Sequence, residues 1–238
     1  MRRAFYALRP GGWRDYVTLL HPPYTAWHLS YVVVGGCLAP SVPWGRLGLT
    51  VLAFALAMGV GAHALDELNG RPLATVIPRR VLVALAVLSV AAASAIGIAV
   101  ATRTTLWLLA FVAAGAFLVP AYNLELVGGR FHSDLWFGLA WGAFPALTGY
   151  VACAERMRSE AVLAAAWATL LSLAQRRLST PVRRLRRNVL DVTGEIRLAD
   201  GTREPLTRAT LTAAPEAALQ LLAASTILAA AALVVLRL

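Results

Sequence analysis

Charge is scarce in this sequence, and lysine is missing from it altogether. Only 14% of the 238 residues are charged, whereas a soluble domain of this size carries about 25%. All 22 basic residues are arginine and only 12 residues are acidic, which gives a formal net charge of +10. Hydrophobic residues make up 59% of the chain. This balance excludes an ordinary soluble domain and is typical of a membrane protein.

Charged residues are absent from seven long stretches. A bilayer core needs about 20 apolar residues per helix, so we interpret these stretches as transmembrane spans. The sixth stretch is short, and its ends must reach toward the interface or lean on neighbouring helices. We therefore predict an all-α, polytopic bundle of about seven spans around a central cavity. The stretches lie between Asp15 and Arg46, Arg46 and Asp66, Arg80 and Arg103, Arg103 and Glu125, Asp134 and Glu155, Glu160 and Arg176, and Glu216 and Arg237.

Arginine is rare in alternate loops. With a cytoplasmic N-terminus and seven spans, 17 arginines fall inside and 5 fall outside. Cytoplasmic loops carry the excess of basic residues, so we predict a multi-pass protein of the cell (inner) membrane with its N-terminus in the cytoplasm. The positive charge then follows from topology and requires no nucleic-acid partner. It also favours attraction to anionic lipid or to a phosphorylated substrate.

Cysteine is rare as well, and no leader sequence is visible. Cys37 and Cys153 both lie within predicted spans, which favours buried free thiols over a disulfide or a metal pair. The first 25 residues lack the apolar core of a cleavable signal peptide. We expect them to form an amphipathic segment at the cytoplasmic interface.

The rest of the chain divides into three parts. Residues 26–187 are predicted to form the first six transmembrane helices. Residues 188–211 alternate in polarity around Asp200-Gly201, which predicts a cytoplasmic β-hairpin. Residues 212–238 are predicted to form the last span, with Thr212 as its N-cap.

Two polar sites interrupt the apolar pattern. Asp66 and Glu67 stand together where the second span ends, and ionisable groups at membrane depth are candidates for function. The alternative is a helix end with solvated charges. The second site is the loop after the fourth span, which gathers Tyr122, Asn123, Glu125, Arg130, His132 and Asp134. Here the alternative is an ordinary charged loop.

The ends of the second and sixth spans share a short pattern. Asp66 precedes Pro72 in DELNGRP as Gln175 precedes Pro181 in QRRLSTP, and arginines follow both. Internal repeats often place a binding site at their interface. We therefore expect Gln175 to lie opposite Asp66 across a site. His28, by contrast, is predicted to hydrogen-bond a neighbouring helix rather than to bind a ligand.

Three segments of the chain resemble the UbiA-type superfamily of intramembrane prenyltransferases. They are LLHPPYTAWHLSYVVVGG, HALDELNGRPL and AYNLELVGGRFHSDLWFGLAWGAFPALTGY, and the likeness runs from about residue 19 to residue 187. The resemblance implies helices around a cavity in which aspartate-rich motifs hold Mg²⁺ and the diphosphate of a prenyl donor. The first motif keeps only its last aspartate, the second has no acid, and seven spans stand where members usually have nine.

The resemblance also assigns expected roles to single residues. It implies that Asp66, Arg130 and Tyr122 are catalytic. Mg²⁺ usually takes one or two carboxylates plus substrate phosphates, so we expect Asp66 with Glu67 or Glu125 to hold one ion. The expected diphosphate-binding residues are Arg71, Arg130, Arg176, Arg177, Asn123 and Gln175.

The function that this predicts is transfer of an isoprenoid chain from a prenyl diphosphate to a small, possibly aromatic acceptor. Arginine binds phosphate in a bidentate manner, so the arginines would replace the charge of a second metal ion. Two alternatives stay open: a terpene cyclase of the same superfamily, and a non-catalytic membrane protein that binds an isoprenoid or another lipid. A solute transporter is disfavoured because the charges cluster at one face.

Overall fold

The computed structural model describes residues 4–238, and its architecture is mostly helical. Arg2 and Arg3 of the predicted amphipathic segment lie outside the described residues. The helices are α1 Trp13–Leu19, α2 Pro22–Cys37, α3 Trp44–Leu68, α4 Arg79–Ala101, α5 Trp107–Asn123, α6 Asp134–Ala154, α7 Ser159–Arg187 and α8 Arg208–Arg237, with a further short turn at Leu126–Gly129.

Four helices are long and apolar enough to cross a membrane: α3, α4, α6 and α8. Helix α5 is apolar but shorter, and the second half of α7 is rich in arginine. The outward faces of the helices expose large apolar side chains, including Leu88, Leu163 and Leu228. Such surfaces suit contact with lipid. Length and composition therefore support a membrane protein, and they support four of the seven predicted spans.

Helices α2 and α6 pack against each other at the middle of the bundle. Helices α3 to α5 lie on one side of this pair, and α7 and α8 lie on the other. Glycines allow the close approach: a Cβ built at Gly35 would lie 2.0 Å from the carbonyl oxygen of Ala146, and one at Gly149 would lie 2.1 Å from that of Val32. Small residues are what membrane helices use at such crossings.

Two long helices contain π-helical segments, Ala55–Ala62 in α3 and Leu139–Ala143 in α6. In each segment a turn contains an extra residue, which rotates the side chains that follow it around the helix axis. The segment in α3 ends directly before His63, in the turn that carries Asp66. Insertions of this kind are frequent at functional sites.

The predicted hairpin is confirmed. Strands β1 Glu195–Arg197 and β2 Arg203–Pro205 pair antiparallel, with Ile196 opposite Glu204. Gly201 occupies the turn with φ +87°, where a glycine is favoured. The side chain of Asp200 accepts hydrogen bonds from the amide and the hydroxyl of Thr202.

The predicted start of the last helix is wrong. Helix α8 begins at Arg208, and Thr207 is its N-cap. Thr207 and Thr210 satisfy each other's backbone amides in a capping box, which is why the helix starts before Thr212. The cysteine prediction is confirmed, because Cys37 and Cys153 are both buried free thiols.

Candidate functional site

A pocket of about 750 Å³ lies at the end of the bundle where α3 and α5 terminate and the arginine-rich half of α7 passes. The N-terminal segment, α2, α3, α5, α6, α7 and α8 all contribute to its wall. Seven of the residues singled out from sequence line it: Asp66, Tyr122, Asn123, Glu125, His132, Gln175 and Arg176. Asp66 of α3 and Gln175 and Arg176 of α7 therefore line one pocket, as expected for the ends of the second and sixth predicted spans.

Asp66 supplies a free carboxylate to this pocket. It is half-buried at the end of α3, and no hydrogen bond or ion pair to its side chain occurs within residues 4–238, while Arg187 and Arg183 act on it electrostatically without direct contact. A partly buried carboxylate without a hydrogen-bond partner is costly unless something else supplies the missing interaction. Asp66 is thus available to a ligand.

Glu67, its neighbour, is committed to the protein instead. Its side chain is fully buried, and its carboxylate accepts hydrogen bonds from the Leu73 amide at 2.9 Å and from the Thr75 amide and hydroxyl at 2.8 Å each. These bonds fold the loop after α3 onto the helix end. The structure therefore gives Glu67 a structural role, and Glu67 does not line the pocket.

Four arginines of α7 form the basic side of the pocket: Arg176, Arg183, Arg186 and Arg187. Arg176 donates from Nε to Asp134 at 3.0 Å and from a terminal nitrogen to the Tyr122 hydroxyl at 3.1 Å. Arg186 forms an ion pair with Glu216 of α8. Arg183 and Arg187 have no carboxylate partner in the described part of the chain. Arg183 donates to the hydroxyl of Thr180 at 3.3 Å, which leaves the charge of both guanidinium groups available to an anion.

Three of the arginines predicted from sequence lie elsewhere. Arg71 donates to the carbonyl oxygens of Thr75 at 2.9 Å and Ile77 at 2.8 Å, so it holds the same loop as Glu67. Arg130 is exposed, and the side chain of Arg177 is 82% exposed. None of the three lines the pocket, because loop contacts hold the first and the other two project outward.

Tyr122 and Asn123 stand at the end of α5. The Tyr122 ring stacks on His132 with centroids 4.5 Å apart, and its hydroxyl accepts the bond from Arg176. The side-chain amide of Asn123 donates to the carbonyl oxygen of Val119, and the backbone carbonyl oxygen of Asn123 accepts from the side-chain amide of Asn69. These contacts tie the ends of α3 and α5 together. Asn123 positions the wall, and Tyr122 presents its hydroxyl beside a guanidinium.

Gln175 is buried, lines the pocket and leaves its side-chain oxygen without a partner among the described residues. An unsatisfied buried acceptor costs about 1–3 kcal/mol. The expected placement of Gln175 on the pocket shared with Asp66 is correct. The repeat itself is imperfect: Pro72 follows the end of a helix, whereas α7 continues through Pro181 to Arg187.

The N-terminal segment covers one side of the pocket with aromatic rings. Tyr6 packs edge-on against Tyr24 at 5.5 Å and lies 5.1 Å from the ring of His21. Burial raises the pKa of Tyr6 well above its ordinary value, with Tyr24 adding to the effect and Arg187 opposing it. The carboxylate of Asp15 accepts from the amides of Gly11 and Val76, which fastens this segment to the loop after α3.

An apolar cavity of about 90 Å³ adjoins the polar pocket between α3, α4, α5 and α6. Met58 and Trp141 line both spaces, so they form the boundary between them. Phe54, Phe111 and Phe144 pack around the apolar side. A charged compartment thus borders a hydrocarbon-lined one.

The acidic residues fit a magnesium ion only in part. Asp66 and Glu125 line the pocket, and Glu67 is withdrawn from it. Residues 4–238 contain no group of three or more His, Cys, Asp or Glu side chains placed to hold a metal. Mg²⁺ usually binds through one or two carboxylates and substrate phosphates. Glu216 also lines the pocket but is paired with Arg186. Asp66 and Glu125 therefore fit that pattern, and a site made by protein alone does not.

Several pocket residues were not predicted: Arg183, Arg186, Arg187, His21, His63, Tyr24 and Glu216. For the arginines a signal existed, since Arg176, Arg183 and Arg187 recur at intervals that place them on one face of a continuous helix.

No protein-family model, no curated protein and no solved structure matches this chain.

Proposed function

We propose that this protein is an intramembrane prenyltransferase of the UbiA type, with seven spans around the pocket and the pocket facing the cytoplasm. One observation carries the proposal. A free carboxylate, Asp66, and two guanidinium groups without carboxylate partners, Arg183 and Arg187, share a pocket that adjoins an apolar cavity. A prenyl diphosphate combines the two chemistries that these compartments accept.

The head group of the donor would bind against α7. Arginine binds phosphate oxygens through charge and a planar pair of donors, and Gln175 and Tyr122 line the same pocket as Arg183 and Arg187. The isoprenoid chain would pass between Met58 and Trp141 into the apolar cavity. Removal of that chain from water is the main source of affinity, at about 25 cal/mol for each Å² buried.

In the transfer step, the allylic carbon–oxygen bond breaks and its electron pair leaves with the diphosphate. The acceptor then supplies the electron pair of the new bond and loses a proton. Preorganised arginines stabilise the charge that develops on the leaving group. When bound, Mg²⁺ held by Asp66, Glu125 and donor phosphates would add positive charge at the same place.

Binding of a radiolabelled prenyl diphosphate to the purified full-length chain tests the proposal. The double substitution Arg183→Gln and Arg187→Gln removes both free guanidinium groups, and we expect affinity to fall about tenfold to a hundredfold, since hydrogen bonds to charged groups are worth about 1.5–3 kcal/mol. Arg177→Gln is the matched control, because that side chain projects from the same helix away from the pocket. Equal affinity of all three proteins would contradict the proposal.

A non-catalytic lipid-binding protein is the second candidate. The bonding of Glu67 to the loop after α3 favours this candidate, because the pocket then has fewer carboxylates to hold a metal ion than the resemblance requires. Product formation with Mg²⁺ and its loss in Asp66→Asn would support the enzyme. Binding that persists in EDTA, without any transferred or cyclised product, would support the binding protein.

A further inference from the structure

The polar pocket is bounded on one side by a stretch that has neither helix nor strand, residues 4–10. Helices supply most of the remaining wall. A stretch without the hydrogen bonds of a helix moves at a lower cost in free energy than a packed helix does. Five of its residues line the pocket: Ala4, Phe5, Tyr6, Ala7 and Pro10.

Two glycines join this stretch to α1. Gly11 has φ +111°, and Gly12 has φ +61° with ψ −142°, a combination that glycine alone adopts readily. A Cβ built at either position meets no atom within 4 Å. The glycines are therefore required by the backbone conformation and not by lack of space. Positions of this kind, at the end of an element, are where hinges absorb changes in φ and ψ.

Beyond the glycines, α1 is fixed to the bundle. Asp15 of α1 is buried, and its carboxylate accepts from the amide of Val76, in the loop after α3, at 2.9 Å and from the amide of Gly11 at 3.0 Å. The hydroxyl of Thr18 accepts from the amide of Leu8 at 3.0 Å. Residues 4–10 can thus turn about the two glycines while α1 stays in place, and the bond of Leu8 is one that this movement breaks.

Aromatic rings hold the other part of the stretch. Tyr6 lies beside Tyr24 and His21, and Phe5 packs edge-on against Tyr24 with the ring centroids 6.1 Å apart. His21 adopts the left-handed conformation, with φ 45° and ψ 57°, directly before Pro22. Such strain persists only where surrounding contacts impose it, so the ring of His21 is a fixed partner for the ring of Tyr6. Ring contacts are individually weak, and the stretch can leave this position.

In this position the stretch covers the charged part of the pocket. The phenol of Tyr6 interacts electrostatically with Arg187, Arg186 and Asp66. Exclusion of water from a site strengthens the interactions between the charges inside it. An anion on the arginines is therefore held more tightly when residues 4–10 cover it than when they do not.

We propose that residues 4–10 form a lid, which turns about Gly11 and Gly12 to admit an anionic ligand to the polar pocket and then closes over that ligand. The role of the lid rests on the proposed transfer function. It would keep water from the allylic carbon while the bond to the diphosphate breaks. The movement itself does not depend on which anion binds, so it is tested without the prenyl donor.

The first test measures how fast a thiol in the pocket reacts with N-ethylmaleimide. Ser179→Cys places a thiol of nearly the same shape in the pocket wall of the full chain, with Cys37→Ala and Cys153→Ala, in lipid nanodiscs. Gly12→Ala strains the closed backbone, and we expect the reaction to accelerate about fivefold to a hundredfold. Gly45→Ala is the control, because a Cβ there also meets no atom within 4 Å but lies in a helix. Equal rates in the two variants would overturn the lid.

Hydrogen exchange in the wild type is the second test and needs no substitution. Inorganic pyrophosphate at about ten times its dissociation constant should slow exchange in residues 4–12 about tenfold, because a ligand that binds only beneath the closed lid stabilises that state. Unchanged exchange in a protein that binds radiolabelled pyrophosphate would overturn the lid. If the wild type binds no pyrophosphate while Gly12→Ala still exposes the thiol, the proposed head-group site is wrong and the hinged lid stands.

Discussion

Asp66 and Glu67 are consecutive residues whose carboxylates have different environments. The polypeptide turns so that Asp66 lines the pocket, while three hydrogen bonds from the loop after α3 surround Glu67. A group that accepts so many internal bonds stabilises the fold, and a group without partners is available for binding. The two residues can therefore be separated by experiment.

Glu67→Gln should destabilise the protein, and Asp66→Asn should not. The glutamine keeps one acceptor oxygen, and its amide nitrogen then faces a backbone N–H donor, that of Leu73 or that of Thr75, which costs about 1–3 kcal/mol. Asp66→Asn removes a charge whose side chain makes no hydrogen bond or ion pair within residues 4–238. Thermal unfolding in detergent measures both. A Glu67→Gln protein as stable as the wild type would show that the loop does not depend on this carboxylate.

At the scale of helices, the crossing of α2 and α6 fixes the position of the pocket walls. His28 of α2 bonds to the backbone of α6 within this contact, and Trp141 of α6 borders both cavities. Gly149 and Gly35 set the separation of the two backbones. The pocket geometry therefore depends on residues that do not touch a ligand.

Gly149→Ala should loosen this crossing, because the added methyl group would meet the Val32 carbonyl oxygen at 2.1 Å. Backbone on both sides leaves no flexible side chain to move, and overpacking of this kind costs about 1–3 kcal/mol. Gly45→Ala in the exposed part of α3 is the control. A Cβ there meets nothing within 4 Å, and alanine favours a helix by about 1 kcal/mol. Equal melting temperatures for the two variants would show that α2 and α6 can separate at little cost.

Features set by residues close together in the sequence were predictable, and features set by contacts between distant residues were not. The apolar stretches and the Asp200-Gly201 turn are local signals, and the helices and the hairpin followed from them. The π-helical turns, the left-handed His21 and the bonding of Glu67 depend on contacts distant in sequence or on backbone detail. Asp66 and Gln175 line one pocket, as expected. The prediction that Arg71 and Arg177 lie there too is wrong, because the direction of the Arg71 side chain depends on the loop after α3 and that of Arg177 on the register of α7.

For the whole molecule, the two ends of the bundle differ in their number of arginines. In the seven-span arrangement predicted from sequence, 17 arginines lie at the pocket end and 5 at the other end. At the end away from the pocket, Arg46 pairs with Glu155 at 2.6 Å and Arg237 donates to the carbonyl oxygens of Cys37 and Ala39. Arginines without a carboxylate partner in the described residues occur at both ends: Arg183 and Arg187 at the pocket end, and Arg103, Arg156 and Arg158 at the other. The larger number of arginines predicts that the pocket end lies in the cytoplasm.

Cysteine labelling can test this orientation. In a background with Cys37→Ala and Cys153→Ala, Thr102→Cys introduces a thiol at the end of α4 and Asp200→Cys introduces one in the hairpin turn; both positions are exposed. We expect a membrane-impermeant maleimide to label Thr102→Cys in intact cells and Asp200→Cys only after permeabilisation, because 17 of the 22 arginines lie on the hairpin's side of the seven-span arrangement. The reverse pattern would place the pocket outside the cell. Labelling of both positions in intact cells would mean that an even number of spans separates them, so the seven-span arrangement would be wrong.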